Sequence, residues 1–347
     1  MAVAHDNEDE KYFGLDAFAS EVRSRCQLRH PMVPSRTVDK FSIDPIALQG
    51  IMEKIFKDLG LDHPGDYEVQ LSAPRPFGDR AKCTIAGIPF EEFGVKAVNM
   101  AHQTVFAMYA YNSTNNSGVV VDLGERMDVV PIVDGYKVSA GVSRSAVGGL
   151  EMRNKLQHYL LGRNYSLTTF IDGYITRYAI ENLSYMARNF DRELQRCQRN
   201  PEKITRELKI EGCPSIESGV LEMGSERFEA CEGLFKPELW GLDQAGVHVL
   251  VHKAIRECGV DLRKEMTQNI FLAGGLTLIP GFRERLELEV ERLNPSIKPI
   301  VHASPYRYHA AYIGACVNAA STAFNQTKIT RSDFVDAGRR LNKLWTL

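Results

Sequence analysis

Residues 271–286 read Phe-Leu-Ala-Gly-Gly-Leu-Thr-Leu-Ile-Pro-Gly-Phe-Arg-Glu-Arg-Leu. The run 269–273 (Asn-Ile-Phe-Leu-Ala) enters the pair Gly274-Gly275, and a second turn at Pro280-Gly281 opens an amphipathic stretch. The order predicts a buried strand, a double-glycine turn and a helix. Glycine carries no side chain, so a flat group can come close to the backbone at such a turn. A glycine pair alone marks only a turn. What it serves is decided by the sequence around it.

On the N-terminal side, Gly118-Val-Val-Val-Asp122 reads as a short buried strand, Gly124 as a turn and Met127–Val133 as a return strand. A turn at Asp134-Gly135 then leads to Tyr136–Ser139. Helical patterns follow at Leu150–Leu161, at Thr169–Cys197 with an internal break, and at Leu242–Cys258. On the C-terminal side, Ile297–Val301 reads as a strand and Ala310–Phe324 as an apolar helix. Farther out, Ile46, Leu48, Ile51, Met52, Ile55 and Phe56 give Asp44–Leu59 a helical spacing. Glu68–Ala73 is a strand stopped by Pro74 and Pro76, and Val95–Tyr111 reads as a second strong helix. Residues 1–10 read as a disordered acidic start. Alternating strands and helices predict an α/β protein. No linker marks a domain boundary, so the chain is expected to weave between lobes.

The 347 residues allow two domains. With 44% hydrophobic and 25% charged residues, a soluble globular protein is the expectation. The net charge is −2 and no Lys/Arg block occurs, so there is no basic footprint for nucleic acid. No apolar run reaches the roughly 18 residues of a membrane span, and the first residues lack the apolar core of a signal peptide. The seven cysteines form no Cys-x-x-Cys pair, which leaves a zinc site unsupported. Their odd, scattered set fits a reducing compartment. Cys316, in an apolar helix, is expected to be a small buried hydrophobe.

Several blocks resemble actins and actin-related proteins, in the same order. They include Tyr12-Phe-Gly14-Leu-Asp16-Ala17, Gly118-Val-Val-Val-Asp122-Leu-Gly124 and Arg163-Asn-Tyr165-Ser-Leu-Thr168-Thr169. Glu181-Asn-Leu183-Ser-Tyr185-Met-Ala187, Gly224-Ser-Glu226-Arg227-Phe228 and Tyr312-Ile313-Gly314 continue the series around the glycine pair. The resemblance runs from residue 11 to about 336. It implies a two-lobed actin-like α/β fold with ribonuclease-H-like halves. Residues 11–111 would form an incomplete first lobe, 112–308 the second, and 309–347 helices returning to the first. In register with the family the chain starts after the first phosphate hairpin, so the fold is expected to be N-terminally truncated. Asp58-Leu59-Gly60 has the letters of that hairpin, but it ends a helical pattern and reads as a helix stop.

In the family, two hairpins grip the phosphates of Mg-ATP and the adenine lies under the second lobe. The resemblance places Asp122 as an indirect Mg carboxylate and Gly124 as the hairpin glycine. The turn Gly124-Glu125-Arg126 is one residue shorter than the family's and lacks its second glycine. Glu125 would repel a phosphate, whereas Arg126 would attract one. The plainer reading is a hairpin kept for its fold. Gln103 matches the water-positioning glutamine of the family, or is simply a polar residue on a helix. Arg177 and Glu181, four apart on one helix face, match residues that contact the base and ribose, or form an exposed ion pair. With Gly274 and Gly275 they make up the adenine side. Ile180 and Tyr308 stand where the family has lysines; Tyr308 would stack on a base or pack on its lobe.

These readings lead to an expected non-catalytic structural actin-related subunit of a larger cytoskeletal-type assembly. One protein partner is expected to cover the first-lobe sheet edge, with no direct nucleic acid or membrane contact. No cofactor is required by this reading; ATP or ADP with Mg is the ligand the fold would take. The alternative is an actin-type ATPase, and a sugar-kinase or heat-shock-type member of the superfamily ranks below both. The expected location is cytoplasm and cytoskeleton, including cilium or axoneme, with the nucleus as alternative.

Overall fold

The computed structural model describes residues 1–14, 16–34, 41–74, 78–111, 116–210, 213 and 215–337. Pro76, expected to help stop a strand, lies outside the described residues, as does the end of the chain from 338. The structure divides into two compact units, Met1–Phe106 with Ala315–Leu347, and Ala107–Gly314.

In the first unit Ala2–Ala4 (β1) is the middle strand of a three-stranded antiparallel sheet, between Lys11–Tyr12 (β2) and Cys26–Leu28 (β3). This corrects the expected disordered start. Ala2, Val3 and Ala4 are buried, and Ala2 and Ala4 pack with Ala17, Val22 and Cys26. Three small apolar residues at the very start outweighed the acidic residues after them, which form only the turn between β1 and β2.

Pro45–Asp58 is a helix (α1) for local reasons. The Asp44 side chain accepts from the Ala47 amide at 3.1 Å, and proline occupies the first turn, where its missing N–H costs nothing. Leu59 ends it and Gly60 follows at φ +67°, so the Asp58-Leu59-Gly60 letters are a helix stop. Glu68–Ala73 (β4) pairs in parallel with Ala97–His102 (β5), from Glu68↔Ala97 to Ala73↔His102. Parallel pairing needs a crossover, and the helix Asp79–Glu91 (α2) lies between the two in sequence. Gly87 and Pro89 inside α2 hid it from the sequence reading. The expected long helix Val95–Tyr111 is likewise overturned: β5 is followed by a short helix, Gln103–Tyr109 (α3). A strand buried on both faces loses its alternation and mimics a buried helix. Ile329–Thr330 pairs with the other side of β5, which leaves β4 at the edge of its sheet among the described residues.

The second unit is built on a six-stranded sheet. Gly118–Leu123 (β6) runs antiparallel to Met127–Val133 (β7) and parallel to Ile270–Ala273 (β8), which is parallel to Val301–His302 (β9). Every residue of β6 and β8 is buried. Gly149–Leu161 (α4) places Met152, Leu156 and Leu160 at i, i+4 and i+8 in the same core. Each buried side chain of this kind contributes roughly 1.5–3 kcal/mol relative to exposure. Phe170–Leu183 (α5) begins with a reciprocal cap: Thr169 accepts from the Asp172 amide, and Asp172 from the Thr169 amide at 2.8 Å.

Several boundaries differ from expectation. The helical stretch 169–197 resolves into α5 and a helix at Phe190–Arg199, and Leu242–Cys258 contracts to Val247–Arg256. The strand expected at 297–301 reduces to Val301–His302. The apolar stretch 310–324 divides into helices at Ala310–Ala319 and Thr322–Thr327. Cys316 is exposed there, not buried, because a helix apolar on every face gives no sign of which face is covered. No helix among the described residues is long and apolar enough to cross a membrane. Deep in the second unit, Arg285 forms a two-pronged bond to Glu232 at 2.9 and 3.1 Å and a third to Glu289 at 2.7 Å.

Candidate functional site

A cavity of about 430 Å³ opens within the second unit. The β6–β7 turn contributes Gly124 and Glu125, and the start of α4 contributes Gly149 and Arg153. Arg177, Ile180 and Glu181 come from one face of α5, and Gly275 and Tyr308 close the wall.

The glycine pair is positioned by strand register. β8 lies beside β6 with Ala273 opposite Asp122, so the chain must turn at Gly274 directly over the end of β6. Gly274 has φ +86°, and a Cβ there would lie 2.3 Å from the Leu123 carbonyl oxygen and 2.8 Å from Asp122 Oδ1. Glycine is therefore needed for both backbone angle and space. At Gly275 a Cβ would sit 3.3 Å from the Tyr308 ring. The flat group that approaches the turn in this structure is Tyr308 itself.

Arg177 donates from Nε to Glu181 Oε1 at 2.8 Å and from Nη2 to the Tyr308 hydroxyl at 3.4 Å. The Glu181 carboxylate holds the Arg177 guanidinium above its ordinary value. Both readings of this pair meet here: it is about half exposed (46% and 52% for the side chains) and it also lines the cavity.

The β6–β7 turn is folded down on α4. The Gly124 amide donates to the Arg126 carbonyl within the turn at 3.0 Å. The amides of Gly149 and Leu150, at the start of α4, donate to the carbonyls of Gly124 and Glu125 at 2.9 and 3.3 Å. Helix N-terminal amides normally seek an anion or a cap; here the turn supplies the acceptors. Glu125 lies 3.3 Å from Arg153. Each of the two arginines in the wall therefore has a carboxylate beside it.

Of the residues singled out from sequence, Gly124, Arg177, Glu181, Gly275 and Tyr308 line the cavity. Asp122 and Gly274 lie against each other but are not among the lining residues, and neither is Arg126. Gln103 begins α3 in the first unit. Among the described residues no group of three or more His, Cys, Asp or Glu side chains is placed to hold a metal ion. Sequence reading missed Gly149 and Arg153. The available signal was the pair Gly148-Gly149 just before a helical pattern, a second double-glycine turn that went unweighed.

A six-stranded core sheet, a hairpin turn seated on a helix start and a glycine pair at the end of a parallel strand define an actin-fold protein. The Actin family profile matches residues 2–343, and the chain belongs to the actin family. It is 32% identical over 333 residues to an actin-like protein of Neurospora crassa, covering 94% of this chain and 84% of that protein. It is 29% identical over 291 residues to centractin of Schizosaccharomyces pombe, covering 83% and 74%. The chain is thus a divergent actin-related protein. The match from residue 2 takes in β1, the segment expected to be disordered.

Proposed function

We propose that the chain is a non-catalytic structural subunit of a larger cytoskeletal-type assembly, in which the actin fold serves as a docking scaffold. The observation that carries this reading is the charge state of the cavity. Transfer of a phosphoryl group needs positive charge and free donors aimed at its oxygens. Here Arg153 and Arg177 each have a carboxylate partner, and the first amides of α4 are taken by the turn. Likeness to a centractin supports a cytoskeletal, cytoplasmic setting. The edge position of β4 supports a protein neighbour there, since an unpaired strand edge is a template for another chain.

The alternative, an ATP- or ADP-binding protein with weak or active ATPase, is favoured by the retention of Arg177, Glu181 and Gly275 around one cavity. Phosphate release from Mg-ATP by the purified chain separates the two. The expected rate is that of buffer. Magnesium-dependent release that disappears in Gln103→Ala overturns the structural reading.

A further inference from the structure

We infer that the cavity of the second unit takes an uncharged purine nucleoside and discriminates against its phosphorylated forms. This deepens the non-catalytic reading and rests on it. The family implies a magnesium nucleoside triphosphate, and the residues of this unit do not fit one. The wall carries Glu125, Arg153, Arg177 and Glu181, two charges of each sign, so an entering phosphate finds no net positive field. It would also have to displace the Glu125 carboxylate from Arg153, and the Gly149 and Leu150 amides at the start of α4 already donate to the Gly124 and Glu125 carbonyls. Asp122, the carboxylate that would serve a magnesium shell, is 8% exposed and packed against Gly274.

What the wall does offer suits a flat, neutral, hydrogen-bonding molecule. Tyr308 presents an aromatic ring beside the bare backbone of Gly275, and Ile180, Leu276 and Ile279 add apolar surface. Aromatic faces bind bases by stacking whatever their sequence. The Glu181 carboxylate can accept from sugar hydroxyls or an amino group, and Arg177 can donate to a ring nitrogen or carbonyl. The volume, about 430 Å³, falls in the range of small-molecule sites, roughly 300–1,000 Å³.

Titration calorimetry of the full chain with adenosine, ADP and Mg-ATP tests this. Adenosine is expected to bind one to one, with ADP and Mg-ATP at least about tenfold weaker and no gain from magnesium. Tyr308→Ala is expected to weaken adenosine about tenfold through lost stacking; Tyr308 is half exposed, so the fold should survive. Glu125→Gln frees Arg153 and is expected to narrow the gap between adenosine and ADP by strengthening ADP. Tighter binding of ADP or Mg-ATP than of adenosine overturns the inference, as does no adenosine binding at all. Tight Mg-ATP without phosphate release defeats this inference and leaves the structural reading standing. Phosphate release from a chain that still prefers adenosine does the reverse.

Discussion

The two units organise their apolar residues in opposite ways. In the second, one continuous cluster runs from Val119 through Leu156 and Leu272 to Val301, packed against one face of a six-stranded sheet. In the first, the described strands form three separate sheets of two or three strands, with small clusters beneath them. A large single core can hold a cavity in fixed shape without help. Small sheets leave edges, and edges are stabilised by neighbours. The contrast fits the proposed reading, with the candidate ligand site in the second unit and docking at the sheet edges of the first.

The most forceful way to break this comparison is at Arg285. Its side chain is 4% exposed and that of Glu232 is fully buried, so Arg285→Ala strands a buried carboxylate whose remaining cation among the described residues is Lys236, at 3.6 Å. A loss of about 3–5 kcal/mol is expected in urea unfolding, with amide exchange accelerated in β6 and β8. A loss under about 1 kcal/mol would mean the second unit does not depend on this pair.

Next come paired core truncations. Leu156→Ala, at the centre of the large cluster, is expected to cost about 4 kcal/mol; Ile85→Ala, in a small cluster of the first unit, about 2 kcal/mol. In the unmodified chain, β4 amides should exchange through openings of lower free energy than those of β8. Equal costs and equal protection would erase the distinction between the units.

A smaller effect sharpens the link between fold and cavity. Thr169→Ala removes the reciprocal cap of α5 and is expected to cost about 1 kcal/mol. Because α5 carries Arg177 and Glu181, ligand affinity measured by calorimetry should fall with it. Unchanged affinity would show that the wall does not rely on the cap.

The smallest expected change is with pH, at His248 in the second unit, where a partly buried ring loses only part of its hydration. Burial lowers its pKa from the ordinary 6.5. As pH falls the unfolded chain takes the proton first, so this stabilisation is full above 6.5 and is lost as pH drops below it. Burial acts to raise the Glu289 pKa, but the hydrogen bond from Arg285 and then Arg292 outweigh it and hold it below 4.5. Its contribution is present above 4.5 and fades only as pH falls through the lower folded value. Urea midpoints at pH 7.5, 6.5 and 5.5 should therefore decline in the unmodified chain, and more shallowly in His248→Gln.

How far sequence reading reached depends on where each signal was local. The α1 stop at Gly60, the β6 strand and the β8 strand with its glycine pair were legible because backbone angle and burial there are written in consecutive residues. β5 was taken for a helix because burial of four consecutive residues, Ala97 to Met100, removes alternation, and α2 was hidden by its own Gly87 and Pro89. The exposure of Cys316 was not legible either, since an apolar helix does not announce its covered face.

By itself the sequence determined the family, the glycine turn and the identities of Arg177, Glu181 and Tyr308. Only the tertiary structure decided what those residues do together. It set the Tyr308 ring against Gly275, gave each arginine of the wall a carboxylate, and laid the Gly124 turn on the amides of α4. Charge compensation and amide satisfaction are properties of distances between segments far apart in the chain, and no local pattern encodes them.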